Sequence, residues 1–128
     1  MNTVKRLMGI VGIVVFTAVA TVGGCGGHGG AIPNPPSDLT VAEISGGGHL
    51  TWTDNSDNEA SFMIERKVAA GTFAEIITVP FDTTAHHDSG PLTAGTTYVY
   101  RVMAMPKSGG HAADLKYSNE ATLMFIGP

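Results

Sequence analysis

The sequence has one cysteine, few basic residues and no cluster of lysine and arginine. A single cysteine, Cys25, excludes an internal disulfide. The 7 Lys and Arg residues against 11 Asp and Glu residues give a formal net charge of −4. The chain therefore lacks the phosphate-neutralising surface of a nucleic-acid-binding protein, and we expect no nucleic-acid partner. With 128 residues, it has room for one domain of ordinary size.

Residues 1–24 have the composition of an export signal. Lys5 and Arg6 are followed by an apolar run over residues 7–22, which Gly23 and Gly24 close with small residues. The run is about 16 residues long, shorter than the ~20 needed to cross a bilayer core. The segment is therefore predicted to be a secretory signal.

The end of this signal, Val22-Gly23-Gly24-Cys25, resembles the lipobox of bacterial lipoproteins, although that family most often has Leu where Val22 stands. The resemblance implies cleavage before Cys25 and lipidation of its thiol, with two or three acyl chains giving a stable membrane anchor. The alternative is an ordinary signal peptide or an uncleaved anchor with an incidental cysteine. Gly26, where the family's inner-membrane members tend to have Asp, favours the outer membrane of a cell envelope that has one.

Residues 25–36 are predicted to be the lipidated cysteine and a tether, with the sequence GGHGGAIPNPP after Cys25. The glycine-rich half is typical of flexible coil and the proline-rich half of extended chain. We expect this stretch to bury almost nothing and to hold the folded part off the membrane. His28 is interpreted as a solvated linker residue.

Residues 37–126 alternate apolar and polar side chains in short runs separated by turn signals, which is the strand pattern. No window shows helical periodicity. The first turn is expected at Gly46-Gly47-Gly48. Seven strands are predicted, near residues 39–44, 50–52, 62–67, 73–79, 83–87, 98–104 and 121–125. Seven short strands in about 90 residues predict an all-β antiparallel sandwich.

Five segments of this part carry a family pattern: Pro36-x-x-Leu39-x-Val41, Leu50-Thr51-Trp52, Phe62-x-Ile64-x-Arg66, Leu92-x-x-Gly95-x-Thr97-Tyr98-x-Tyr100-Arg101-Val102-x-Ala104 and Ser118-Asn119-Glu120-Ala121. They resemble a fibronectin type III domain, which is a seven-stranded, immunoglobulin-like β-sandwich. The resemblance implies a tyrosine corner at Tyr98, with Leu92 packing beside it and Trp52 buried. The predicted structural core is Trp52, Phe62, Ile64, Leu92, Tyr98, Tyr100 and Val102, and the polar tips of its Trp and Tyr side chains are expected to find partners.

The run Asp54-x-Ser56-x-Asn58, followed by Glu65, approaches an EF-hand calcium loop. However, Glu59 stands where that loop needs glycine, and the flanking segments are predicted strands that carry Glu65 away. A looser calcium site at Asp54, Asp57 and Glu59 stays open. The favoured interpretation is that these residues form a turn, because Asp and Asn side chains bond their own backbone.

The run His86-His87-Asp88-Ser89 contains the residue types of a catalytic triad. Neighbours on a strand point to opposite faces, so these side chains cannot converge. As zinc ligands, the two histidines need a further ligand from elsewhere, and the sequence does not place His49 or His111. We therefore predict no catalytic residue, metal or cofactor. The resemblance to fibronectin type III domains, which often have an aromatic residue where His87 stands, implies that His87 is a half-buried packing residue.

The remaining charged residues are interpreted as solvation and edge protection on exposed strand faces. They are Glu65, Arg66, Lys67 and Arg101.

The features described above lead to a functional hypothesis. We expect a non-catalytic, lipid-anchored cell-envelope protein that presents one fibronectin type III module to a protein or a glycan. The alternative is a structural spacer or accessory subunit without a ligand of its own. An exposed aromatic row would favour a glycan, and an exposed patch of Val99, Met103 and Met105 would favour a protein.

Overall fold

The computed structural model describes residues 30–108 and 112–128, and seven antiparallel strands account for just over half of these residues. The predicted signal over residues 1–24 and the lipidated Cys25 lie outside the described residues. The strands are β1 (Ser37–Ile44), β2 (Gly47–Thr53), β3 (Glu59–Val68), β4 (Ala74–Pro80), β5 (Ala85–Asp88), β6 (Thr96–Pro106) and β7 (Ala121–Phe125). A single 3₁₀ turn, Ala112–Asp114, is the only helical element of the described part.

The strands form two sheets that pack face to face. One is three-stranded, in the order β1-β2-β5, and the other is four-stranded, in the order β4-β3-β6-β7. Every pairing is antiparallel. The predicted all-β, seven-stranded antiparallel sandwich is therefore confirmed.

The core lies between the sheets because alternate residues of each strand point inward. Leu92 is only half-buried and packs against the edge of the core. The rings of Trp52 and Phe62 meet at 5.8 Å between centroids, from opposite sheets. The buried core cluster consists of Leu39, Leu50, Trp52, Phe62, Ile64, Val79, Tyr98, Tyr100, Val102, Ala104, Ala121, Leu123 and Phe125.

The polar tips of the core aromatics are not all satisfied. The backbone N–H of Thr93 donates to the Tyr98 hydroxyl at 2.9 Å, which is a tyrosine-corner contact to a group upstream of the ring. In contrast, the indole Nε1 of Trp52 is buried and has no hydrogen-bond partner among the described residues. The expectation that each of these tips finds a partner is wrong for Trp52.

The first turn differs from the predicted triple-glycine turn. Ser45 and Gly46 have φ values of 49° and 74°, as a two-residue type I′ hairpin turn requires at both central positions. Gly47 and Gly48 therefore belong to β2. Gly48 points inward, where a Cβ would lie 3.0 Å from the Tyr100 hydroxyl, so glycine here makes room for that ring.

A polar contact joins the two sheets at the edge where β4 and β5 face each other. Arg66 of β3 donates from Nη1 to Asp88 Oδ2 of β5 at 2.7 Å, and the Tyr100 hydroxyl donates to the same oxygen at 2.9 Å. The backbone N–H of Gly90 donates to Oδ1 at 3.0 Å. Burial, followed by the nearby Asp88 charge, raises the pKa of Tyr100. Arg66 is thus part of an interior ion pair, and its interpretation as a solvated strand charge is wrong.

The proline-rich half of the predicted tether lies against the domain. Pro33 and Pro36 are buried. The side-chain amide of Asn58 donates to the Ala31 carbonyl at 2.9 Å, and that of Asn34 donates to the Asn55 carbonyl at 2.9 Å. The expectation that this stretch buries almost nothing is therefore wrong from about residue 31 onward.

Breaking the Arg66–Asp88 pair should destabilise the fold. The side chains of Arg66 and Asp88 are 17% and 6% exposed. Removing one partner of such a pair leaves an uncompensated buried charge, so Arg66→Ala and Asp88→Ala should each cost about 3 kcal/mol. In a double-mutant cycle measured by urea unfolding, the double variant should cost less than the sum by about 1 kcal/mol or more.

The control for this cycle is Asp57→Ala, which removes an exposed carboxylate in the 54–58 loop. It should change the free energy of unfolding by less than about 0.5 kcal/mol. If the losses of unfolding free energy in Arg66→Ala and Asp88→Ala were additive in the double variant, the pair would not couple the two sheets.

Candidate functional site

The outer face of the four-stranded sheet carries every methionine of residues 30–128. Met63 lies on β3, Met103 and Met105 on β6, and Met124 on β7, each at a position that alternates with core residues. Met63 is paired directly with Met103 across the strands. Met124 is 65% exposed and Met103 is 7% exposed. We call these four residues, together with Phe73, Arg101 and Tyr117, the methionine face.

A stack of charged and aromatic side chains crosses this face. The guanidinium carbon of Arg101 lies 3.9 Å from the centroid of Phe73 and 3.5 Å from that of Tyr117. Its Nε also donates to Glu65 Oε2 at 2.6 Å. A planar guanidinium suits such stacking because its faces are weakly hydrated. Arg101 and Glu65 therefore form an ordered cluster, and interpreting them as scattered solvation is wrong.

The same cluster changes the acidity of Tyr117. Burial, together with the nearby Glu65 carboxylate, raises the pKa of its phenol, and the Arg101 charge opposes that rise.

Two members of the predicted apolar patch are covered. Val99 and Met103 are 8% and 7% exposed, although both lie outside the central core cluster. Tyr117 forms an isolated bridge with Met103, which draws the segment after the 3₁₀ turn across the face. The three residues therefore do not form an exposed patch, because Met105 is itself half-buried, and the exposed apolar side chain of this face is Met124.

The outer face of the three-stranded sheet has a different composition. The hydroxyls of Thr40 and Thr51 lie 2.9 Å apart, and the rings of His49 and His87 lie 6.1 Å apart between centroids. His87 is exposed on this face, so its interpretation as a half-buried packing residue is wrong. The cause is strand parity, because Asp88 is the neighbour that turns inward.

His86 shares the inward parity of Asp88 and borders a groove of about 380 Å³ between β4 and β5. Burial lowers the pKa of His86, and the nearby histidines lower it further against the opposing charge of Asp88. The carboxylate of Asp88 is bound to Arg66 and Tyr100. Within the described residues, the run from His86 to Ser89 therefore does not assemble a triad.

An acidic cluster lies at the end of the sandwich near the 54–58 loop. Carboxylate oxygens of Asp54, Glu59 and Asp82 all lie within 4.8 Å of one another and could each offer one oxygen to a cation. Asp57 is exposed and does not join them. Asp82 joins them from the β4–β5 turn, a non-local approach that the local sequence pattern does not signal.

Hydrogen bonds account for the local arrangement of this cluster. Asp54 Oδ1 accepts the backbone N–H of Ser56 at 3.0 Å, and the Ser56 hydroxyl donates to Glu59 Oε2 at 2.8 Å. This is the Asx-type turn that the sequence favoured. Burial alone would raise the pKa of Glu59, but the hydrogen bonds from Ser56 and from the backbone of Asp82 outweigh it and hold that pKa below its usual value.

Comparison with solved structures settles the architecture. The chain is similar to an Fn3-like protein from Clostridium thermocellum, with 27% identity and a TM-score of 0.58 over 73% of this chain and 93% of that one. It is also similar to the FN3 domain of human collagen XX, with 16% identity and a TM-score of 0.56 over 77% of this chain and 98% of that one. The fold is fibronectin type III-like.

The chain is also similar to part of pectate lyase PelI from Erwinia chrysanthemi, solved in complex with tetragalacturonic acid, at 18% identity and a TM-score of 0.59. The match covers 70% of this chain but only 28% of the lyase, so it shows the fold alone. No protein-family model and no curated protein sequence matches the chain. In residues 30–108 and 112–128, no helix has the length and hydropathy needed to cross a membrane.

Replacing Glu59 by Gln should lower the free energy of unfolding at neutral pH and should also reduce how strongly that free energy depends on pH in the acidic range. Because the folded-state pKa of Glu59 lies below 4.5, its contribution is complete above that pH and is lost as the pH falls through the lower value. Glu59→Gln should cost about 1.5–3 kcal/mol at pH 7, the range for hydrogen bonds to a charged group. The unfolding midpoint of the variant should then fall less steeply below that pH.

Thermal unfolding from acidic to neutral pH checks this expectation, with Asp57→Asn as the exposed control. Parallel acid profiles for the wild type and Glu59→Gln would contradict it.

Proposed function

We propose that this chain is a non-catalytic, lipid-anchored cell-envelope protein whose fibronectin type III-like module binds a protein partner. The observation that carries the proposal is the methionine face, with the exposed Met124, the half-buried Met63 and Met105, and the guanidinium of Arg101 stacked on two rings. The membrane contact would be made through a lipid on Cys25. In an envelope with two membranes, the residue after Cys25 favours the outer one.

The composition of the methionine face is that of a protein interface. Methionine, arginine and aromatic residues are enriched at the centres of protein–protein interfaces, and arginine and tyrosine are frequent hot spots. Methionine also adapts its flexible, polarisable side chain to irregular partner surfaces. Because Arg101 is already ordered by Phe73, Tyr117 and Glu65, binding would not have to order it again.

A glycan is less well matched to this face. Sugar rings stack on free aromatic faces, whereas Arg101 already occupies one face of Phe73 and one of Tyr117. The most exposed apolar side chains near the end of β7 are those of Met124 and Ile126, which are 65% and 77% exposed. The face therefore favours a protein over a glycan.

The absence of catalysis is also part of the proposal. In the described part of the chain, Arg66 and Asp88 neutralise each other beside the groove, and His86 and His87 point to opposite faces. Ser89 also lines the groove, but among the described residues no hydrogen bond pairs its hydroxyl with an imidazole as nucleophile and base. The competing proposal is a spacer or accessory subunit that has no ligand of its own.

The anchoring part of the proposal is tested at Cys25. Cys25→Ser should abolish lipidation, so the variant should leave the membrane fraction or keep its leader, while the wild type should begin at Cys25 with added acyl mass. Intact mass measurement on membrane and soluble fractions checks both outcomes. A wild-type protein with a free thiol at Cys25 would contradict the lipid anchor. It would not bear on the proposal that the methionine face binds a protein.

The interaction part is tested by photo-crosslinking in intact cells. A photoreactive amino acid at Met124 should give a discrete protein adduct, because this side chain stands at the exposed end of the methionine face. The same group at Ala42, exposed on the other sheet, is the matched control. Arg101→Lys keeps the charge but loses the planar stacking group, so it should weaken the Met124 adduct at least about fivefold, a loss of roughly 1 kcal/mol.

Each other result has a distinct meaning. Equal adducts from positions 124 and 42 would show that the methionine face is not the binding surface. An adduct that glycosidase treatment removes would identify a glycan, and no adduct from either position would favour the spacer.

A further inference from the structure

Two histidines stand side by side on the outer face of the three-stranded sheet. His49 of β2 and His87 of β5 are direct partners in the antiparallel register, and their ring centroids are 6.1 Å apart. His49 is half-buried and His87 is exposed. His86, the neighbour of His87, points to the opposite face of the strand. The structure thus supplies from β2 the additional histidine that the sequence could not place beside the β5 pair.

The residues that flank the two rings on this face are small. Ala42 is the partner of His49 on its other side, and Ala85 and Thr51 form the neighbouring cross-strand pair. These flanking residues are small and uncharged. The ring of His87 lies over Gly47, where a Cβ would be only 2.7 Å from Nε2 of His87. Glycine at this position therefore leaves the space that the imidazole occupies.

We propose that His49 and His87 together bind one divalent transition-metal ion of the zinc class. Imidazole nitrogens bind Zn²⁺ at about 2.0–2.1 Å, so one ion could bridge these rings, whose centroids are 6.1 Å apart, once small side-chain rotations turned a nitrogen of each ring toward the other. Imidazole pairs suit zinc, nickel and copper, with copper bound most tightly. Two protein nitrogens leave two positions of a tetrahedral ion to water.

This site is independent of the proposed protein partner. It lies on the three-stranded sheet, whereas the methionine face lies on the four-stranded sheet on the other side of the sandwich. It also does not involve the acidic cluster, which is built from carboxylates and would suit a harder cation. Failure of the crosslinking experiment would therefore leave the metal site unaffected, and the reverse also holds.

Calorimetric titration of the full chain, purified in detergent, with zinc chloride tests the site. His28→Gln and His111→Gln form the background, because these two histidines lie outside the described residues. In that background we expect one ion per chain. His49→Gln and His87→Gln should each weaken binding at least about tenfold, since even outer partners of a ligand contribute that much.

The matched control is His86→Gln, which changes the adjacent histidine on the same strand but the opposite face. It should leave zinc affinity unchanged. Without metal, the unfolding midpoints of His49→Gln and His87→Gln should agree with that of the background protein, because His49 and His87 lie outside the core cluster. Paramagnetic Cu²⁺ should broaden the ring proton resonances of His49 and His87 first.

A gain-of-binding variant gives an independent check. Ala85→His places a third imidazole two residues before His87 on the same face of β5. It should tighten zinc binding at least about tenfold, as expected when a ligand replaces water in a tetrahedral site. The proposal is overturned by unchanged affinity in His49→Gln and His87→Gln, by equal losses in His86→Gln, or by one ion per two chains.

Discussion

The carboxylate of Asp88 is the polar contact on which the closure of this sandwich depends. It lies on the short edge strand of one sheet and accepts hydrogen bonds from Arg66 and Tyr100 of the other sheet. Apolar packing alone does not fix which edge of one sheet faces which edge of the other, because hydrophobic contact is non-directional. A charged, hydrogen-bonded contact is directional, and it would be costly to leave either charge unpaired. The guanidinium also lies 5.2 Å from the ring of Tyr98, so the tyrosine corner and the ion pair share one neighbourhood.

The two outer faces of the sandwich show how one fold can carry different surfaces. Both follow from strand parity, since every residue between two core positions must point outward. On the four-stranded sheet these positions hold methionines and the stacked Arg101. On the three-stranded sheet they hold threonine, alanine and histidine. The core therefore places few demands on what the outer faces display, which is consistent with function residing in sites rather than in the fold.

The alternation of apolar and polar side chains was sufficient to predict the strands and the inward-pointing residues around Phe62, Ile64 and Tyr100. Within one strand, that alternation shows which residues point toward the core. The inward parity of Arg66, two residues after Ile64, was also a usable signal for its buried pairing. Contacts set by register between distant strands were not accessible in this way. The meeting of His49 with His87 and the approach of Asp82 to Glu59 depend on which strands pair and where turns end. Phe73, predicted as the first residue of the fourth strand, lies just before β4, and Tyr117 lies between β6 and β7, so the pattern gave no sign that they flank Arg101.

The proline-rich segment is docked against the 54–58 loop, and this contact limits how far the domain can lie from any membrane to which Cys25 is attached. From Cys25 to Gly30, five residue steps of extended chain reach at most about 18 Å. From Ala31 onward the chain is fastened to the domain by Asn58 and Asn34. A lipid on Cys25 would thus hold the 54–58 end of the sandwich close to the headgroups. Because Phe125 pairs with Thr96 at the opposite end, Met124 would lie near the end of the sandwich that faces away from the bilayer.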